Sequence, residues 1–414
     1  MCADQLKVAL IIPNIDAFSG GMERTLKLVE YSASAGIQYT CLEPAGGAPN
    51  AEVANRLLEF ERSGLVERRR LDRRVLQANG TAYDAVAIPT EYWWGPWRRA
   101  KEVGLVGPYC LDFHQLPYIG TLDILKREGI DDPALPDLVR LPFLQARVYT
   151  DGFFSSAVST AAGVASVRSL LRLRNGRVLA TTPVVAKNLS CLGYRGPVSI
   201  PECPNGIARA PVEESLRTEE PFEFDGVYVG RFHPQKGFLD LPYIVAQMKK
   251  TLGSDVRIAV CGGADTASYT TRFKGLVESL GVQENVSILR RIPKADLYRT
   301  LRRSRMLLYP SYVDGFSLTV LESLCLGVPV VAYDIDAMRM IWRRRRGVFS
   351  VPVGNPRALA QVACEIRTDF RLADARKEAG AQSGALLEEY RWERVVLGER
   401  RFYEGVCEGL KAAN

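Results

Sequence analysis

The sequence predicts an α/β protein with two doubly wound domains, each a parallel sheet with helices on both faces. Three observations support this fold class. The chain has 414 residues, which is too long for one ordinary domain and suits two. Short apolar runs of strand length alternate with helix-length segments, most clearly in the second half. A glycine turn separates the first apolar run from the first helical segment, as in a βα unit.

The first half of the chain opens with a strand, a turn and a helix. Lys7–Ile12 is an apolar run of strand length, and Ser19–Gly21 supplies the turn. From Met22 onward apolar residues recur at helical spacing, and Gly36 ends that helix. Further strands are predicted at 85–88, 109–113, 178–180 and 198–200. This alternation favours a parallel sheet.

The second half repeats strands and amphipathic helices more regularly. Strands are predicted at 226–229, 256–260, 286–289, 306–309 and 328–332. Helices are predicted between them, at about 238–252, up to about 280, at 295–302 and at 318–325, with one or two more over 387–410. This order predicts a second doubly wound domain.

Composition and charge narrow the function classes. The net charge of +7 is modest, and it permits an anionic partner without selecting one. The nine cysteines include no CxxC pair, so neither a zinc site nor a disulfide framework is expected, and a reducing interior is favoured. The best apolar stretch, 153–167, is shorter than the roughly 18 residues that a membrane span needs. Any membrane contact is therefore expected to be peripheral.

The first candidate site follows the strand 226–229. Gly230 would let the backbone turn tightly, and Arg231 and Lys236 would place two cations before the next helix. Ligands of open α/β sheets bind at the carboxyl ends of the strands, so a diphosphate could lie there. Two surface cations around an ordinary loop are the alternative interpretation.

The second candidate site lies between a predicted strand and the helix 318–325. Asp314 stands in the loop and Glu322 about one turn into the helix. The N–H groups near Leu318 and Thr319 would point at an anion, and a carboxylate beside them could accept hydrogen bonds from sugar or ribose hydroxyls. Alternatively, Glu322 only favours the helix N-terminus electrostatically.

Together these two patterns resemble the retaining glycosyltransferases of the large group 1 (GT4-type) family, which have the GT-B fold. The similarity is strongest over Gly226–Asp334, especially in Pro310-Ser311, Asp314-Gly315-Phe316-Ser317, Glu322-Ser323-Leu324 and Gly327-Val328-Pro329-Val330-Val331. Weaker similarity occurs at Gly20–Arg24 and Pro204–Ile207. The resemblance implies two Rossmann-like domains that face each other across a central cleft.

The resemblance also implies a domain organisation. Residues 1–206 would form the acceptor-binding domain and residues 225–394 the domain that binds the nucleotide-sugar donor. The segment 207–224, rich in Pro, Glu and Arg, is expected to be the linker. Tyr390-Arg391-Trp392 resembles the region that returns to the first domain, so a helix over 395–414 is expected to complete that domain.

Roles for individual residues follow from the resemblance. Arg231 and Lys236 match the pair that holds the donor diphosphate, and Glu322 matches the glutamate that binds the ribose. Asp314 stands where the family usually has a glutamate that contacts the donor sugar, so the sugar could sit differently. Gly315, Phe316 and Ser317 match the loop whose backbone donors meet the sugar and phosphate, and the N–H groups of Leu318 and Thr319 at the helix start are added to the predicted donor site. Gly20 and Gly21 match the first-domain turn that closes over the donor. The family often has Gly where Ser317 stands.

The predicted catalytic set is His114, Asp314, Arg231 and Lys236. A histidine at the position of His114 lines the reaction centre in the family, although a packed structural histidine is the alternative. The cations and a helix N-terminus can stabilise negative charge on the leaving diphosphate, so neither a metal nor another cofactor is expected. Asp334-Ile335-Asp336 resembles a metal-binding DxD motif in the wrong fold context.

A third segment is rich in tryptophan and cations. It contains Trp93, Trp94, Trp97, Arg98, Arg99 and Lys101. Tryptophan favours the membrane interface, and Arg or Lys attracts anionic headgroups. The segment would suit a peripheral enzyme with a lipid-linked or glycan acceptor, although the tryptophans could equally pack in the core or stack on an acceptor sugar.

The basic runs 68–74 and 343–346 are interpreted first as solvated charge, and the first run also as a membrane-facing patch. Nucleic acid is not expected as a partner, because no binding motif accompanies these runs.

The resemblance and the two candidate sites together predict a retaining hexosyltransferase, with GDP-mannose as the first donor candidate and UDP-glucose as the second. We expect a cytoplasmic location, peripheral on the inner face of the cell membrane. The alternatives are a nucleotide-sugar epimerase on the same fold and a non-catalytic protein that binds nucleotides or polyanions.

Overall fold

The computed structural model describes residues 5–12, 20–44, 51–71, 83–89, 109–113, 176–191, 194–253, 255–263 and 267–411. These residues form two compact units. The first unit contains the described residues up to Gly206 together with those from Tyr390 onward. The second unit contains the described residues of Ile207–Glu389. Each unit is an α/β structure around its own parallel sheet.

The first unit has seven described strands in the order β3-β2-β1-β4-β5-β6-β7, and every described pairing is parallel. The chain therefore winds outward in both directions from β1, the order of a doubly wound sheet. The strands are β1 (Leu6–Ile11), β2 (Ile37–Pro44), β3 (Val66–Leu71), β4 (Ala85–Pro89), β5 (Tyr109–Phe113), β6 (Gly176–Ala180) and β7 (Val198–Ser199). Its described helices are α1 (Gly20–Tyr31), α2 (Ala51–Arg62), α3 (Pro183–Cys191) and, from the end of the chain, α12 (Trp392–Lys411).

Helix α12 is bound to the first unit by a buried ion pair. Arg24 of α1 pairs with Glu399 of α12, and both side chains are almost fully buried. The Nε of Arg24 also donates to the carbonyl of Pro204 over 2.8 Å. Removing one partner of such a pair costs about 3–5 kcal/mol, because the other charge is left buried and uncompensated. The pair therefore makes the last described helix a structural part of the first unit.

The second unit has six described strands in the order β10-β9-β8-β11-β12-β13, again paired in parallel. The strands are β8 (Gly226–Val229), β9 (Ile258–Cys261), β10 (Val286–Arg290), β11 (Leu307–Tyr309), β12 (Val330–Tyr333) and β13 (Val348–Val351). The helices are α4 (Arg209–Leu216), α5 (Leu241–Leu252), α6 (Ala267–Ser279), α7 (Lys294–Arg302), α8 (Leu318–Cys325), α9 (Pro356–Arg367), α10 (Asp369–Gly380) and α11 (Ser383–Glu389). Strands β8, β9, β11 and β12 are almost fully buried, so the core lies on both faces of the sheet.

The two parallel sheets confirm the predicted α/β fold class, and two segments show structure that the sequence did not predict. The stretch 207–224, expected to be the linker between the domains, contains α4, whose Val212 is buried. The basic run at 68–74 begins within the edge strand β3. There Arg68 pairs with Glu43 on β2, at 2.5 Å. That arginine is thus neutralised within the sheet, and charge on an edge strand also discourages pairing with other chains.

Within the described ranges, no helix is both long enough and apolar enough to span a bilayer.

Candidate functional site

The candidate site lies in the second unit, where the loops after β8, β9 and β11 meet at the carboxyl edge of the sheet. The Gly230 N–H donates to the carbonyl of Cys261 over 3.1 Å, and the Phe232 N–H donates to the carbonyl of Gly263 over 2.7 Å. Gly262 has a φ of +146°, and a Cβ there would stand 1.8 Å from the Gly230 oxygen. Only glycine permits this approach, which fixes the start of the β8 loop.

The end of the β8 loop is packed just as closely against the segment after β11. Gly237 has a φ of +68°, and a Cβ there would stand 1.9 Å from the carbonyl oxygen of Pro310. The Tyr312 N–H donates to the carbonyl of Gln235 over 2.9 Å. Lys236 lies between these two contacts, so its backbone is held by glycine sterics on one side and by a hydrogen bond on the other.

Lys236 and Asp314 form the central ion pair of the site. The Lys236 Nζ lies 2.7 Å from Asp314 Oδ2, and both side chains are largely buried. Tyr309 donates its hydroxyl to the same oxygen, and the Phe316 N–H reaches Oδ1 at 3.4 Å. Burial opposes the ionised carboxyl, but the Lys236 charge and these hydrogen bonds outweigh it and hold the pKa of Asp314 below its usual range. Burial and the nearby Asp314 carboxylate raise the pKa of Tyr309. Asp314 is thus a stable anion that orients the Lys236 ammonium.

Helix α8 begins directly after this loop with an uncapped N-terminus. Ser317, the N-cap residue, has left-handed backbone angles (φ 73°, ψ 64°), and its side chain makes no capping hydrogen bond. Its buried hydroxyl, which lies beside that of Tyr309, has no partner of normal hydrogen-bond geometry among the described residues. The N–H groups of Leu318 and Thr319 therefore remain available, and the N-terminus of a helix attracts an anion.

Trp342 holds the same loop from behind. It belongs to a π-helical turn at Met338–Trp342 that follows β12. Its buried Nε1–H donates to the carbonyl of Phe316 over 2.6 Å, and the two rings pack with their centroids 5.3 Å apart. The positions of Gly315 and Phe316 thus depend on Asp314 at one end and on Trp342 at the other.

Glu322, one turn into α8, is buried but faces a cation. Lys294, the first residue of α7, forms an ion pair with Glu322 Oε1, and the Tyr298 hydroxyl lies 3.5 Å from the same oxygen. Glu322 Oε2 accepts no hydrogen bond from the described residues. The carboxylate therefore has one oxygen fixed by the protein and one available for a ligand hydroxyl.

A buried carboxylate also supports the segment after β11. Asp240 Oδ2 accepts hydrogen bonds of 2.7 Å from the hydroxyls of both Tyr312 and Tyr333. Burial raises the pKa of Asp240, while the two tyrosine donors act in the opposite direction. This contact ties the loop after β11 to the start of α5 and to the end of β12.

The remaining residues predicted for the site are solvent-exposed, lie elsewhere in the structure or lie outside the described residues. Arg231 is solvent-exposed in the β8 loop. Gly20 and Gly21 begin α1 in the first unit. Asp334 and Asp336 both form ion pairs with Arg339, and no cluster of three metal-ligating side chains occurs in the described part of the chain. The positions that lie outside the described residues are His114, Trp93, Trp94, Trp97, Arg98, Arg99 and Lys101.

Three residues of the site were missed from the sequence: Tyr309, Lys294 and Trp342. Tyr309 ends β11 and Lys294 begins the helix after β10, so both follow the carboxyl edge where ligands of this fold bind. That placement is a signal that could have identified them. Trp342 gave no signal of this kind, because its role depends on a contact with Phe316, which lies 26 positions away in the chain.

Fold and site together define an α/β protein whose second unit carries a lysine, an uncapped helix N-terminus and a buried carboxylate in the segments that follow its strands. Residues 217–383 match the family model described as glycosyl transferases group 1. The resemblance inferred from the two loops is therefore confirmed for the segment that carries them.

Named relatives and solved structures agree with this assignment. The chain is 26% identical over 242 residues to the D-inositol 3-phosphate glycosyltransferase of Segniliparus rotundus, covering 56% of this chain and 53% of the relative. It is 26% identical over 183 residues to the phosphatidyl-myo-inositol mannosyltransferase of Mycobacterium leprae, covering 44% and 46%. The chain thus spans about half the length of these relatives.

Similar solved structures cover nearly the whole chain. The sucrose-phosphate synthase of Thermosynechococcus elongatus matches with a TM-score of 0.66 at 18% identity, over 99% of this chain and 100% of that one. HepE of Anabaena, in complex with UDP-glucose, matches with a TM-score of 0.64 at 13% identity, over 98% and 100%. At such identities the likeness concerns the fold alone, and it confirms the GT-B fold class.

Proposed function

We propose that this protein is a retaining glycosyltransferase that moves a hexosyl group from a nucleotide sugar to an acceptor. The observation that carries the proposal is the Lys236–Asp314 ion pair beside the uncapped N-terminus of α8. It lies at the carboxyl edge of a parallel sheet, within the segment that matches the group 1 glycosyltransferases. Lysine and free N–H groups suit a diphosphate, and carboxylates suit the hydroxyls of a sugar and a ribose.

Each group of the site has a place in this chemistry. Negative charge develops on the diphosphate as the bond to the sugar breaks, and Lys236, Arg231 and the N–H groups of α8 would stabilise it. Glu322 would accept a hydrogen bond from a ribose hydroxyl at its free Oε2. Asp314 would contact the donor sugar and keep Lys236 in position. Since these groups supply the positive charge, the proposed reaction needs neither a metal ion nor another cofactor.

For the donor we propose GDP-mannose first and UDP-glucose second. The relative from Mycobacterium leprae is named a mannosyltransferase, and the similar HepE structure contains UDP-glucose. For the acceptor we propose a lipid-linked or glycan molecule at the membrane surface. The names of both relatives described above contain inositol, which makes an inositol-containing acceptor the first one to test.

The test is transfer of label by the purified full chain. GDP-mannose, UDP-glucose, UDP-galactose and UDP-N-acetylglucosamine are supplied one at a time, each with phosphatidylinositol vesicles, with soluble inositol phosphate or with a host lipid extract. Glu322→Gln is expected to lower kcat/KM for the donor roughly 10- to 100-fold, since a hydrogen bond to a charged group contributes about 1.5–3 kcal/mol. Glu278→Gln makes the same change at an exposed position of α6 and is the matched control.

The products separate the proposal from its rivals. Label that enters the lipid phase with one donor, and is lost in Glu322→Gln, supports a transferase at the membrane. Label in a soluble acceptor supports the transferase and replaces the membrane acceptor. An altered free nucleotide sugar without any acceptor would indicate an epimerase, and nucleotide binding without turnover would indicate a non-catalytic protein. Either of those last results contradicts the proposed function.

A further inference from the structure

A cluster of arginines lies at the amino ends of the strands of the second sheet, opposite the loops of the candidate site. Arg305 lies two residues before β11, Arg302 ends α7, and Arg376 lies in α10. The guanidinium groups of Arg305 and Arg376 lie over the ring of Phe222, at 5.0 and 4.8 Å from its centroid. Phe222 is 44% exposed, so the cluster can be reached from solvent.

Two of these arginines have no carboxylate partner among the described residues. Arg376 donates to the carbonyl of Ser304 over 2.8 Å, and Arg302 donates to the carbonyl of Ser215 over 2.6 Å. Burial, followed by the charges of Arg302 and Arg305, lowers the pKa of Arg376 to about 10. The neighbouring charges that lower this pKa are those of Arg302 and Arg305, which are positive like Arg376 itself.

The nearby carboxylates are already engaged. Asp225 lies 3.4 Å from Arg305, but it lies closer, at 2.6 Å, to Arg367, and it also accepts the Arg257 N–H. Glu223 pairs with Arg303 at 2.5 Å. The positive charge of the cluster therefore exceeds the negative charge that faces it.

A guanidinium does not lose its proton at physiological pH, so this excess charge persists. A partly buried charge without a counter-ion is unfavourable, and an anion from solution would compensate it. The planar fork of arginine suits phosphate, to which it can donate two parallel hydrogen bonds. We propose that Arg302, Arg305 and Arg376 form a binding site for a phosphate-bearing anion, separate from the candidate donor site. The phosphate could belong to a small soluble molecule or to a lipid headgroup.

The first test is thermal unfolding of the full chain with and without inorganic phosphate, against sodium chloride at equal ionic strength. We expect phosphate to raise the Tm of the wild type, because a ligand that binds the folded state stabilises it. Arg302→Gln and Arg376→Gln are each expected to weaken phosphate binding at least tenfold in calorimetric titrations.

Two control variants separate this site from other effects. Arg299→Gln changes an exposed arginine of the same helix as Arg302, already paired with Asp296, and should leave phosphate binding unchanged. Lys236→Ala alters the candidate donor site, which can itself bind phosphate, but it should preserve the part of the rise in Tm that Arg302→Gln or Arg376→Gln removes. Should Arg376→Gln fail to fold, Arg302→Gln provides the same comparison. The proposal would be overturned by a rise that is undiminished in both Arg302→Gln and Arg376→Gln, that disappears entirely in Lys236→Ala, or that chloride reproduces.

The second test identifies the source of the phosphate. Vesicles of phosphatidylcholine, with and without phosphatidic acid, are sedimented with the wild type and with Arg376→Gln. Binding that requires phosphatidic acid and Arg376, and that free phosphate displaces, identifies a lipid headgroup. Binding of free phosphate without vesicle binding identifies a soluble ligand. If neither free phosphate nor vesicles bind in an Arg376-dependent manner, the site does not exist. Because this cluster is separate from the donor site, its failure would leave the proposed transferase activity untouched.

Discussion

Replacement of Gly237 by alanine tests whether close packing of the β8 loop positions Lys236. The new Cβ would stand 1.9 Å from the Pro310 carbonyl oxygen and 2.6 Å from its carbonyl carbon. Both are backbone atoms, so no side-chain rotation can relieve the overlap, and the β8 loop must move away from the segment after β11. Lys236 adjoins Gly237 and would move with it, which would lengthen the 2.7 Å contact with Asp314.

The expected loss of unfolding free energy in Gly237→Ala has two parts. Alanine at a positive φ costs about 1–2 kcal/mol, and the overlap adds about 1–3 kcal/mol, as in other overpacked interiors. Gly281 provides a matched control, since its φ of +64° resembles the +68° of Gly237 and nothing lies within 4 Å of a Cβ there. Gly281→Ala should therefore show the backbone cost alone.

The assay combines urea denaturation with calorimetric titration of GDP and UDP. We expect Gly237→Ala to lose about 2–5 kcal/mol of unfolding free energy and Gly281→Ala about 1–2 kcal/mol. Only Gly237→Ala should also weaken nucleotide binding. Equal losses of stability in the two variants, or unchanged nucleotide affinity in Gly237→Ala, would refute the argument that this packing positions Lys236.

Three further predictions concern the loop and helix next to Lys236. Ser317→Gly should raise the unfolding free energy by about 1–2 kcal/mol in urea titrations, because glycine accepts the left-handed backbone and removes a buried unpaired hydroxyl. Trp342→Phe should raise the KM for the donor about 3- to 10-fold with little change in kcat, because it keeps an aromatic ring but loses one hydrogen bond to Phe316. Asp314→Asn should remove stability at neutral pH but not at low pH. The lowered pKa of Asp314 makes its contribution complete above the usual value of 3.8, and that contribution is lost as the pH falls through the folded-state value. Denaturation midpoints of wild type and Asp314→Asn should therefore converge as the pH falls below 4.

The controls for these predictions are conservative variants. Ser317→Ala keeps the strained backbone and loses the hydroxyl, so a gain as large as that of Ser317→Gly would mean that backbone strain contributes nothing. If Trp342→Phe alters thermal stability strongly but not the KM, Trp342 is part of the core and not a positioning residue. A difference between wild type and Asp314→Asn that stays constant down to pH 3 would contradict the assigned pKa direction.

Much of the fold could be predicted because buried parallel strands have continuous apolar sequences. Strands β5 and β8 and helix α8 occur at their predicted bounds. Strand β2 was missed because the polar residues Gln38 and Thr40 interrupt its apolar sequence, although Thr40 is itself buried. Strand β3 was missed because an edge strand can carry charge along most of its length, as Glu67–Arg70 does.

The site was predictable to the extent that its residues are close in sequence. The loop and helix from Asp314 to Glu322 could be recognised as one unit, and so could the segment from Gly230 to Lys236. The pairing of Lys236 with Asp314 joins two loops that lie 78 positions apart, and that of Lys294 with Glu322 spans 28 positions. Such contacts depend on how the strands are ordered in the sheet, which one sequence does not specify.

The buried Arg24–Glu399 pair has a consequence for synthesis on the ribosome. The first unit needs helix α12, which is translated after all the residues of the second unit. Domains usually fold in the order in which they emerge, from the N-terminus onward. Here the second unit can complete its sheet while Arg24 still lacks its partner. The surface of α1 that carries Arg24 therefore stays uncovered until α12 has left the exit tunnel.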